Sequence, residues 1–175
     1  MEVGVRRDFE VEEPQRIPEE WWAVRAALQA ALNGLVTAEP VPADGWTKNE
    51  ANNTWSYIEN GKPLTGWQRP GTNKCWYLFD ANGIMLTGWQ KVDGKWYYLS
   101  RLGDNAGYAE GAMRTGWVKV DGEWYYLNSS GAMLRSQWVK SSGAWYYLQS
   151  SGAMATSQWI GNYWVNASGV WTNTK

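Results

Sequence analysis

Tryptophan and tyrosine recur along the chain at a regular spacing. Their aromatic rings are the groups in this sequence best suited to contacting a ligand. The 175 residues include 15 Trp and 10 Tyr but two Phe. Trp and Tyr combine an apolar π face with a polar edge, so they suit half-exposed binding surfaces better than a dry core. The aromatic content therefore indicates a half-exposed binding surface rather than a dry core.

The composition excludes several kinds of active site. The chain has no histidine, which removes Ser-His-Asp and Cys-His nucleophiles and the usual His-containing zinc sites. Its single cysteine, Cys75, has no disulfide partner within the chain and is interpreted as a small apolar filler. Paired carboxylates such as Glu19 and Glu20 lie within the first 44 residues, too few to form both a core and a cleft. We expect no enzyme activity, no catalytic residue, no metal site and no cofactor.

Two regions differ in charge. Residues 1–44 contain nine acids and four bases, a net charge of −5, whereas residues 45–175 contain eight acids and twelve bases, a net of +4. Met1 leads directly into charged residues with no apolar stretch, so we expect no signal peptide, and no run is long enough for a transmembrane segment. We expect no nucleic-acid partner. Residues 1–44 are interpreted as a separate segment, a fusion or a fragment.

Residues 1–44 predict one strand, one helix and a linker. Residues 2–12 alternate apolar and charged side chains, which is the period of a half-buried strand. A helix is predicted from Pro18, with a stop at Asn33-Gly34. Residues 36–44 contain two prolines and predict a stiff linker. The predicted helix has an apolar face at helical spacing, formed by Trp21, Val24, Leu28, Leu32 and Leu35. Because a strand and a helix alone cannot bury their apolar faces, the repeats, a second copy of the chain or a protein partner is expected to cover them.

The region from residue 45 onward consists of six repeats. The first tryptophan of each unit recurs at spacings of 21, 22, 28, 21 and 21 residues, at Trp46, Trp67, Trp89, Trp117, Trp138 and Trp159. A second aromatic cluster follows, and turn formers such as Asp93-Gly94 separate the two, which is a strong hairpin signal. A single hairpin is marginal in water, so the units are predicted to stack into a mainly β solenoid. The longer third unit carries an insertion over residues 100–110, interpreted as a surface loop rather than a calcium loop.

The clearest copy of the repeat carries a resemblance to a known family. Residues 115–133, TGWVKVDGEWYYLNSSGAM, closely resemble the cell-wall-binding repeat of the choline-binding proteins, and the likeness covers residues 45–175. More loosely, the signature is similar to glucan-binding repeats. The resemblance implies a left-handed solenoid of stacked hairpins, with ligands between hairpins in cages of three aromatic residues plus a hydrophobic one. The ligand that the resemblance implies is choline or phosphocholine on teichoic acid. The implied location is the bacterial cell surface, or the protein is secreted.

The two ends of the array suggest which rings form each cage. The first unit has Ser56 where later units have a middle tyrosine, and the last has Asn162 where its predecessors have the second tryptophan. We therefore predict that each cage takes two tryptophans from one hairpin and a tyrosine from the next. Methionine, which packs well on rings, is predicted to close the cage of its own repeat. The predicted cages are Trp67, Trp76, Met85 and Tyr97; Trp89, Trp96, Met113 and Tyr125; Trp117, Trp124, Met133 and Tyr146; Trp138, Trp145, Met154 and Tyr163; and Trp46, Trp55 and Tyr77 with Pro63 at the methionine position.

The ligand and the role of the last repeat stay open. A glucan is the alternative ligand, since the same repeat signature occurs in glucan-binding proteins. Trp171 stands at the methionine position of the last unit, where a cap is expected. Leu99, Leu127, Leu148 and Phe79 are predicted to be core residues.

Overall fold

A computed structural model describes residues 19–36, 43–104 and 107–175. The chain divides into two compact units, Met1–Val41 and Pro42–Lys175. The strand predicted over residues 2–12 and most of the linker predicted over residues 36–44 lie outside the described residues. Asp44 accepts a hydrogen bond from the Gly61 amide through Oδ1 at 3.1 Å, so it is tied to the first repeat rather than to the linker.

The first unit contains helix α1, Glu19–Val36. The predicted stop at Asn33-Gly34 is wrong, because the helix continues through Gly34 to Val36. Asn33 Oδ1 accepts a hydrogen bond from Gln29 Nε2 at 3.1 Å instead of capping the helix, and a glycine inside a helix costs only about 1 kcal/mol. Of the predicted apolar face, the side chains of Val24, Leu28 and Leu32 are described, and all are exposed. No helix in the described part of the chain is long and apolar enough to cross a bilayer.

The second unit consists of six antiparallel hairpins, which form six separate sheets. The first and last sheets have three strands and the four between them have two. The strands are β1 Gly45–Asn49, β2 Thr54–Glu59, β3 Lys62–Pro63, β4 Gly66–Gln68, β5 Tyr77–Phe79, β6 Gly88–Val92, β7 Lys95–Leu99, β8 Gly116–Val120, β9 Glu123–Leu127, β10 Gln137–Ser141, β11 Ala144–Leu148, β12 Gln158–Ile160, β13 Tyr163–Val165 and β14 Trp171–Thr174. The prediction of a mainly β chain of stacked hairpins is confirmed.

Two-residue turns close the central hairpins. Asp93 and Gly94 have φ of 48° and 77°, and Asp121 and Gly122 have φ of 50° and 94°. Two successive positive φ values define the turn whose twist matches that of paired strands, and Asp-Gly is a preferred sequence for it. The turns set the register of each pair, in which the first tryptophan of the repeat faces the third aromatic position, as Trp89 faces Tyr98.

Each hairpin buries one row of residues against its own loop and the next hairpin. The leucine that ends the second strand is fully buried in three repeats, as Leu99, Leu127 and Leu148, and Phe79 takes this place in the second repeat. The loop after each hairpin folds back so that its methionine forms a bridge with this residue, for example Leu127 with Met133. The core is therefore thin, and neighbouring repeats build it together, as Phe79 and Met85 of the second repeat cluster with Ala112 of the third.

Backbone hydrogen bonds join successive repeats. In four cases the methionine amide donates to the carbonyl of the second tryptophan in the preceding repeat, at 2.7 to 2.8 Å. These bonds run from Met85 to Trp55, Met113 to Trp76, Met133 to Trp96 and Met154 to Trp124. They fix how far each repeat is displaced from the one before it.

Candidate functional site

The two tryptophans of one hairpin form two walls of a candidate site. Trp46 faces Tyr57 across the sheet and Trp55 lies two residues before Tyr57, so both tryptophans project from the same face. Their ring centroids are 6.4 Å apart and their planes meet at 86°. Trp89 and Trp96 repeat this geometry at 6.4 Å and 89°, and the corresponding pair in the next hairpin lies at 6.3 Å and 90°. Each pair makes a right-angled corner.

The third wall is the middle tyrosine of the following hairpin. Side chains alternate along a strand, so this tyrosine points away from its own tryptophans and towards the preceding hairpin. The centroid distances to the first tryptophan are 4.9 to 5.0 Å in four sites and 5.7 Å in the last. The pairs are Trp46–Tyr77, Trp67–Tyr97, Trp89–Tyr125, Trp117–Tyr146 and Trp138–Tyr163. The structure thus brings together the aromatic side chains in the groups that the sequence predicts.

The predicted positions of the methionines are wrong by one repeat. Met85 lies in the cavity of Trp46, Trp55 and Tyr77, not with Trp67 and Trp76. Met113 lines the cavity of Trp67 and Trp76, and Met154 that of Trp117 and Trp124. Met133 packs against the same buried cluster as Trp89 and Tyr125, and its amide bonds to the Trp96 carbonyl. The cause is the inter-repeat hydrogen bond, which places each methionine against the preceding tryptophan pair.

The corrected groups define five sites, numbered along the chain. Four of them line cavities that open to solvent. The cavity volumes are about 310 Å³ at site 1, 320 Å³ at site 2, 250 Å³ at site 4 and 270 Å³ at site 5. Site 1 is Trp46, Trp55, Tyr77 and Met85; site 2 is Trp67, Trp76, Tyr97 and Met113; site 3 is Trp89, Trp96, Tyr125 and Met133; site 4 is Trp117, Trp124, Tyr146 and Met154; site 5 is Trp138, Trp145, Tyr163 and Trp171.

Trp171 lines site 5 together with Trp138, Trp145 and Tyr163, so it does more than cap the array. Its ring centroid is 5.9 Å from that of Tyr163, at 86°. Trp171 occupies the methionine position of the last repeat. Like each methionine, it lies in the site formed by the tryptophan pair of the preceding repeat. From the sequence a cap is expected here, although the repeat position of Trp171 was the signal that could have identified it as a site residue.

The loop of a third repeat completes the rim, and sequence reasoning missed it. Ser129 and Ser130 line site 2, and Ser168 lines site 4. At site 1 the equivalent loop contributes Ala109 and Glu110. The insertion of the third repeat therefore ends at a site and is not only a surface loop. The signal for this loop in the sequence is the glycine that follows the serine or glutamate. In the structure, a Cβ at this glycine would collide with the methionine of the site.

Basic side chains lie over the second tryptophan of several sites. Lys48, Lys91 and Lys140 each place Nζ 5.9 Å from a ring centroid, over Trp55, Trp96 and Trp145. Arg69 lies 5.5 Å from Trp76 in the same way. The three lysines come from the strand facing the second tryptophan, and together with Arg69 they make the rim positive while the walls are neutral rings.

The walls of sites 1 and 3 hold their tyrosines in the neutral form. Burial raises the pKa of Tyr77, whose hydroxyl also accepts a hydrogen bond from Asn73 Nδ2. Burial, and then the charges of Glu123 and Asp121, raise the pKa of Tyr125. Sites 1 and 3 therefore present uncharged π faces over the ordinary pH range. The sites offer attraction for positive charge or for flat apolar faces, with no nucleophile among their walls.

Asp104 anchors the insertion of the third repeat. Its Oδ2 accepts hydrogen bonds from the Tyr98 hydroxyl at 2.6 Å and from the Arg101 amide at 2.7 Å. Burial and this hydrogen bond to Asp104 raise the pKa of Tyr98. Tyr98 is 1% exposed, so the contact fixes the start of the insertion to the core of the hairpin.

Known proteins resemble these repeats. A family profile described as the choline-binding repeat matches residues 64–106 and 114–159, just over half of the chain. The structure of choline-binding protein F from Streptococcus pneumoniae is 38% identical, with 75% of this chain and 48% of that one covered and a TM-score of 0.46. A choline-binding domain from the same species is 42% identical, with 50% and 96% covered and a TM-score of 0.44.

One curated protein extends the comparison beyond the choline-binding proteins. Glucosyltransferase-I of Streptococcus downei is 46% identical over 48 residues, which is 27% of this chain and 3% of that protein. The chain thus spans about half the length of choline-binding protein F and a small part of the glucosyltransferase. Because the profile matches more than half of the chain and successive repeats each supply the same set of residues, the protein belongs to the choline-binding repeat family.

Proposed function

We propose that the chain is a non-catalytic module that attaches to choline or phosphocholine on bacterial cell-wall teichoic acid. Each of the five sites would hold one trimethylammonium group between two tryptophans, a tyrosine and a methionine, or Trp171 at site 5. A quaternary ammonium cannot donate a hydrogen bond, so its recognition depends on ring faces around a spread positive charge. The family to which the chain belongs supports this ligand.

The observation that carries the proposal is the exposure of the second tryptophans. Trp76, Trp124 and Trp145 are 40 to 41% exposed, although tryptophan in a thin solenoid would bury far more area if it served only as core. Each opens onto a cavity, and Trp124 stands at right angles to Trp117. An exposed ring corner repeated along the chain is what a binding surface requires and a core does not.

The energetics favour many weak sites over one strong site. Each well-placed ring contributes about 0.5 to 2 kcal/mol to cation binding, so three rings give roughly millimolar affinity at one site. Linked sites on a multivalent polymer gain about 10²- to 10⁴-fold in avidity. The positive rim formed by residues such as Lys91 suits a ligand whose ammonium group is followed by a phosphate.

Glucan binding is the second candidate. The match to glucosyltransferase-I favours it, and exposed tryptophans also stack on the apolar faces of sugars. Under this alternative the same rings would serve as flat platforms, and positive charge on the ligand would be irrelevant. In either case the repeats bind and do not catalyse, and any catalytic activity belongs to another domain.

Titration of tryptophan fluorescence with choline separates the two. We expect a saturable change at millimolar choline, elution from a quaternary-amine resin by choline, and no change with dextran. If dextran gives the saturable change and choline does not, the repeats bind glucan. Glycerol at equal concentration controls for changes in solvent.

The setting of the module follows from the proposed ligand. Proteins of this family act at the cell surface or after secretion, and we propose the same for this chain as part of a cell-wall protein or a phage lysin. Residues 1–44 would then form a separate segment that associates with itself or docks a protein partner, since Val24, Leu28 and Leu32 of α1 are exposed.

A further inference from the structure

Site 1 differs from sites 2 and 4 by an acidic residue at one position of its rim. Glu110 lines the cavity together with Trp46, Trp55 and Tyr77. At the same place in the repeat, Ser130 lines site 2 and Ser168 lines site 4. All three residues immediately precede the glycine that packs against the site's methionine, so their positions are equivalent.

Within the described part of the chain, no base forms an ion pair with the carboxylate of Glu110. The two ion pairs among the described residues are Lys48–Glu50 at 2.9 Å and Arg101–Asp121 at 3.7 Å. The first of them matters here, because Lys48 is the base that lies over Trp55 of site 1 and Glu50 already pairs with it. Site 1 therefore has a compensated base and a free carboxylate, whereas site 2 has Arg69 over Trp76 and serines on its rim.

The walls of site 1 are also more enclosed than those at the end of the array. Tyr77 is 1% exposed, whereas Tyr163 of site 5 is 44% exposed. Asn73 donates a hydrogen bond to the Tyr77 hydroxyl and lines the same cavity, so this ring is held in place. A charge beside a more enclosed site is less screened by water, which strengthens its interaction with a bound cation.

We propose that Glu110 makes site 1 selective for cationic ligands, so that a quaternary ammonium is preferred there over a neutral group of the same shape. The inference rests on the proposed function, since it assigns a ligand charge to one of the same sites. Rings alone attract a cation and also bind an apolar neutral group, but a carboxylate attracts only the cation. The serines of sites 2 and 4 add no such discrimination.

The test compares two ligands at individual sites of the full chain. The ligands are choline and its neutral carbon isostere, in which a tert-butyl group replaces trimethylammonium. Binding is followed through the indole N–H resonances of nitrogen-15-labelled tryptophan, with Trp55 reporting site 1 and Trp76 reporting site 2. We expect Glu110→Gln to weaken choline binding at site 1 about three- to tenfold, the range of a partly exposed charge pair, and to leave the isostere within about twofold.

Two matched variants complete the design. Ser130→Glu is expected to raise the preference of site 2 for choline over the isostere by a similar factor. Glu123→Gln removes an exposed carboxylate that lines none of the described cavities, and it is expected to change neither site. An equal loss of both ligands with Glu110→Gln, or no loss of choline, overturns the role of Glu110 while leaving choline binding at the other sites intact. If no tryptophan resonance responds to choline, the proposed function fails and this inference fails with it.

Discussion

The amide of Met113 donates a hydrogen bond to the carbonyl of Trp76, 2.8 Å away in the preceding repeat. This contact carries Met113 out of its own repeat and into site 2, where it faces Trp67 and Trp76. A Cβ at Gly131 of the following repeat would collide with Met113 Sδ, so this methionine is held from both sides. Sites 1, 2 and 4 are consequently assembled from three consecutive repeats, whereas site 5 takes its residues from the last two.

Replacing Met113 tests this register. Met113→Ala removes one wall of site 2, and we expect about tenfold weaker choline binding there with site 3 unchanged. The lost packing is expected to lower the free energy of unfolding by about 2 kcal/mol. Indole resonances of Trp76 and Trp96 report the two sites, and chemical denaturation reports stability. Met113→Leu, which nearly conserves volume, should retain both properties. Weakened binding at Trp89 and Trp96 instead would restore the grouping by repeat.

Pro63 is a signal in the sequence for this register. The first repeat has Pro63 at the methionine position, and proline has no amide hydrogen to donate. The later methionines Met85, Met113, Met133 and Met154 all donate this hydrogen to the preceding hairpin. A repeat with no hairpin before it does not need that donor, so the proline marks the first end of the chain of bonds. Repetition shows that a position matters, whereas only such an end effect shows which neighbour it contacts.

Gly131 tests the packing of three repeats in a different way. Gly131→Ala meets two penalties, a φ of +82° and a collision with Met113. Gly122→Ala is the matched control, since Gly122 has a φ of +94° but open space around its Cβ. We expect Gly122→Ala to lose about 1 to 2 kcal/mol from strain and Gly131→Ala to lose about 1 to 3 kcal/mol more from overpacking.

Urea unfolding of the two variants measures the difference. The double variant Met113→Ala with Gly131→Ala should recover part of the collision penalty, because the added methyl group then finds space. Equal losses in Gly122→Ala and Gly131→Ala would mean that Met113 moves aside without cost.

The hairpins could be predicted from the sequence because their turns depend on neighbouring residues alone. The end of the helix could not be predicted in this way. Asp93-Gly94 adopts the two positive φ values that Asp-Gly favours, so the turn and the register follow from neighbouring residues alone. At Asn33-Gly34 the same kind of local preference gives the wrong end, because Asn33 bonds to Gln29 and the helix continues. The insertion was harder still, since Glu110 reaches site 1 only through contacts two repeats away.

Alkaline pH should destabilise the repeats through Tyr98. Its pKa is raised by burial and by Asp104, so the folded state holds the phenol proton more tightly than the unfolded state. The resulting stability is fully present below about pH 10, the pKa of an unperturbed tyrosine, and is lost as pH rises towards the higher folded value. Each such group contributes a slope of at most about 1.4 kcal/mol per pH unit.

We expect the unfolding free energy of the wild type to fall more steeply than that of Tyr98→Phe between about pH 10 and 11.5. Urea denaturation followed by circular dichroism gives both curves. Tyr77 and Tyr125 also have raised pKa values, so the variant should lose only part of the slope. Parallel curves would show that Tyr98 titrates alike in both states.

Removal of the first unit tests the division of the chain. A variant that starts at Pro42 keeps Asp44, whose carboxylate accepts the Gly61 amide hydrogen bond. We expect it to retain the fluorescence response to choline, because all five sites lie after that point. Sedimentation velocity compares its mass with that of the full chain. A larger species for the full chain alone would assign self-association to residues before Pro42, and identical monomers would leave the protein-partner alternative.

Trp171 offers the sharpest test at the end of the array. It lines site 5 in the place of a methionine, and its Nε1 donates a hydrogen bond to the Asn173 carbonyl at 3.0 Å. Trp171→Ala is expected to weaken choline binding at Trp138 and Trp145 about tenfold, since one ring contributes about 0.5 to 2 kcal/mol. Trp171→Met installs the side chain that the other sites use and should recover much of that loss. Because Trp171 is 39% exposed, truncation should cost little stability, so unfolding measured in parallel distinguishes a wall of the site from a cap. A large loss of stability with binding unchanged would make Trp171 a cap alone.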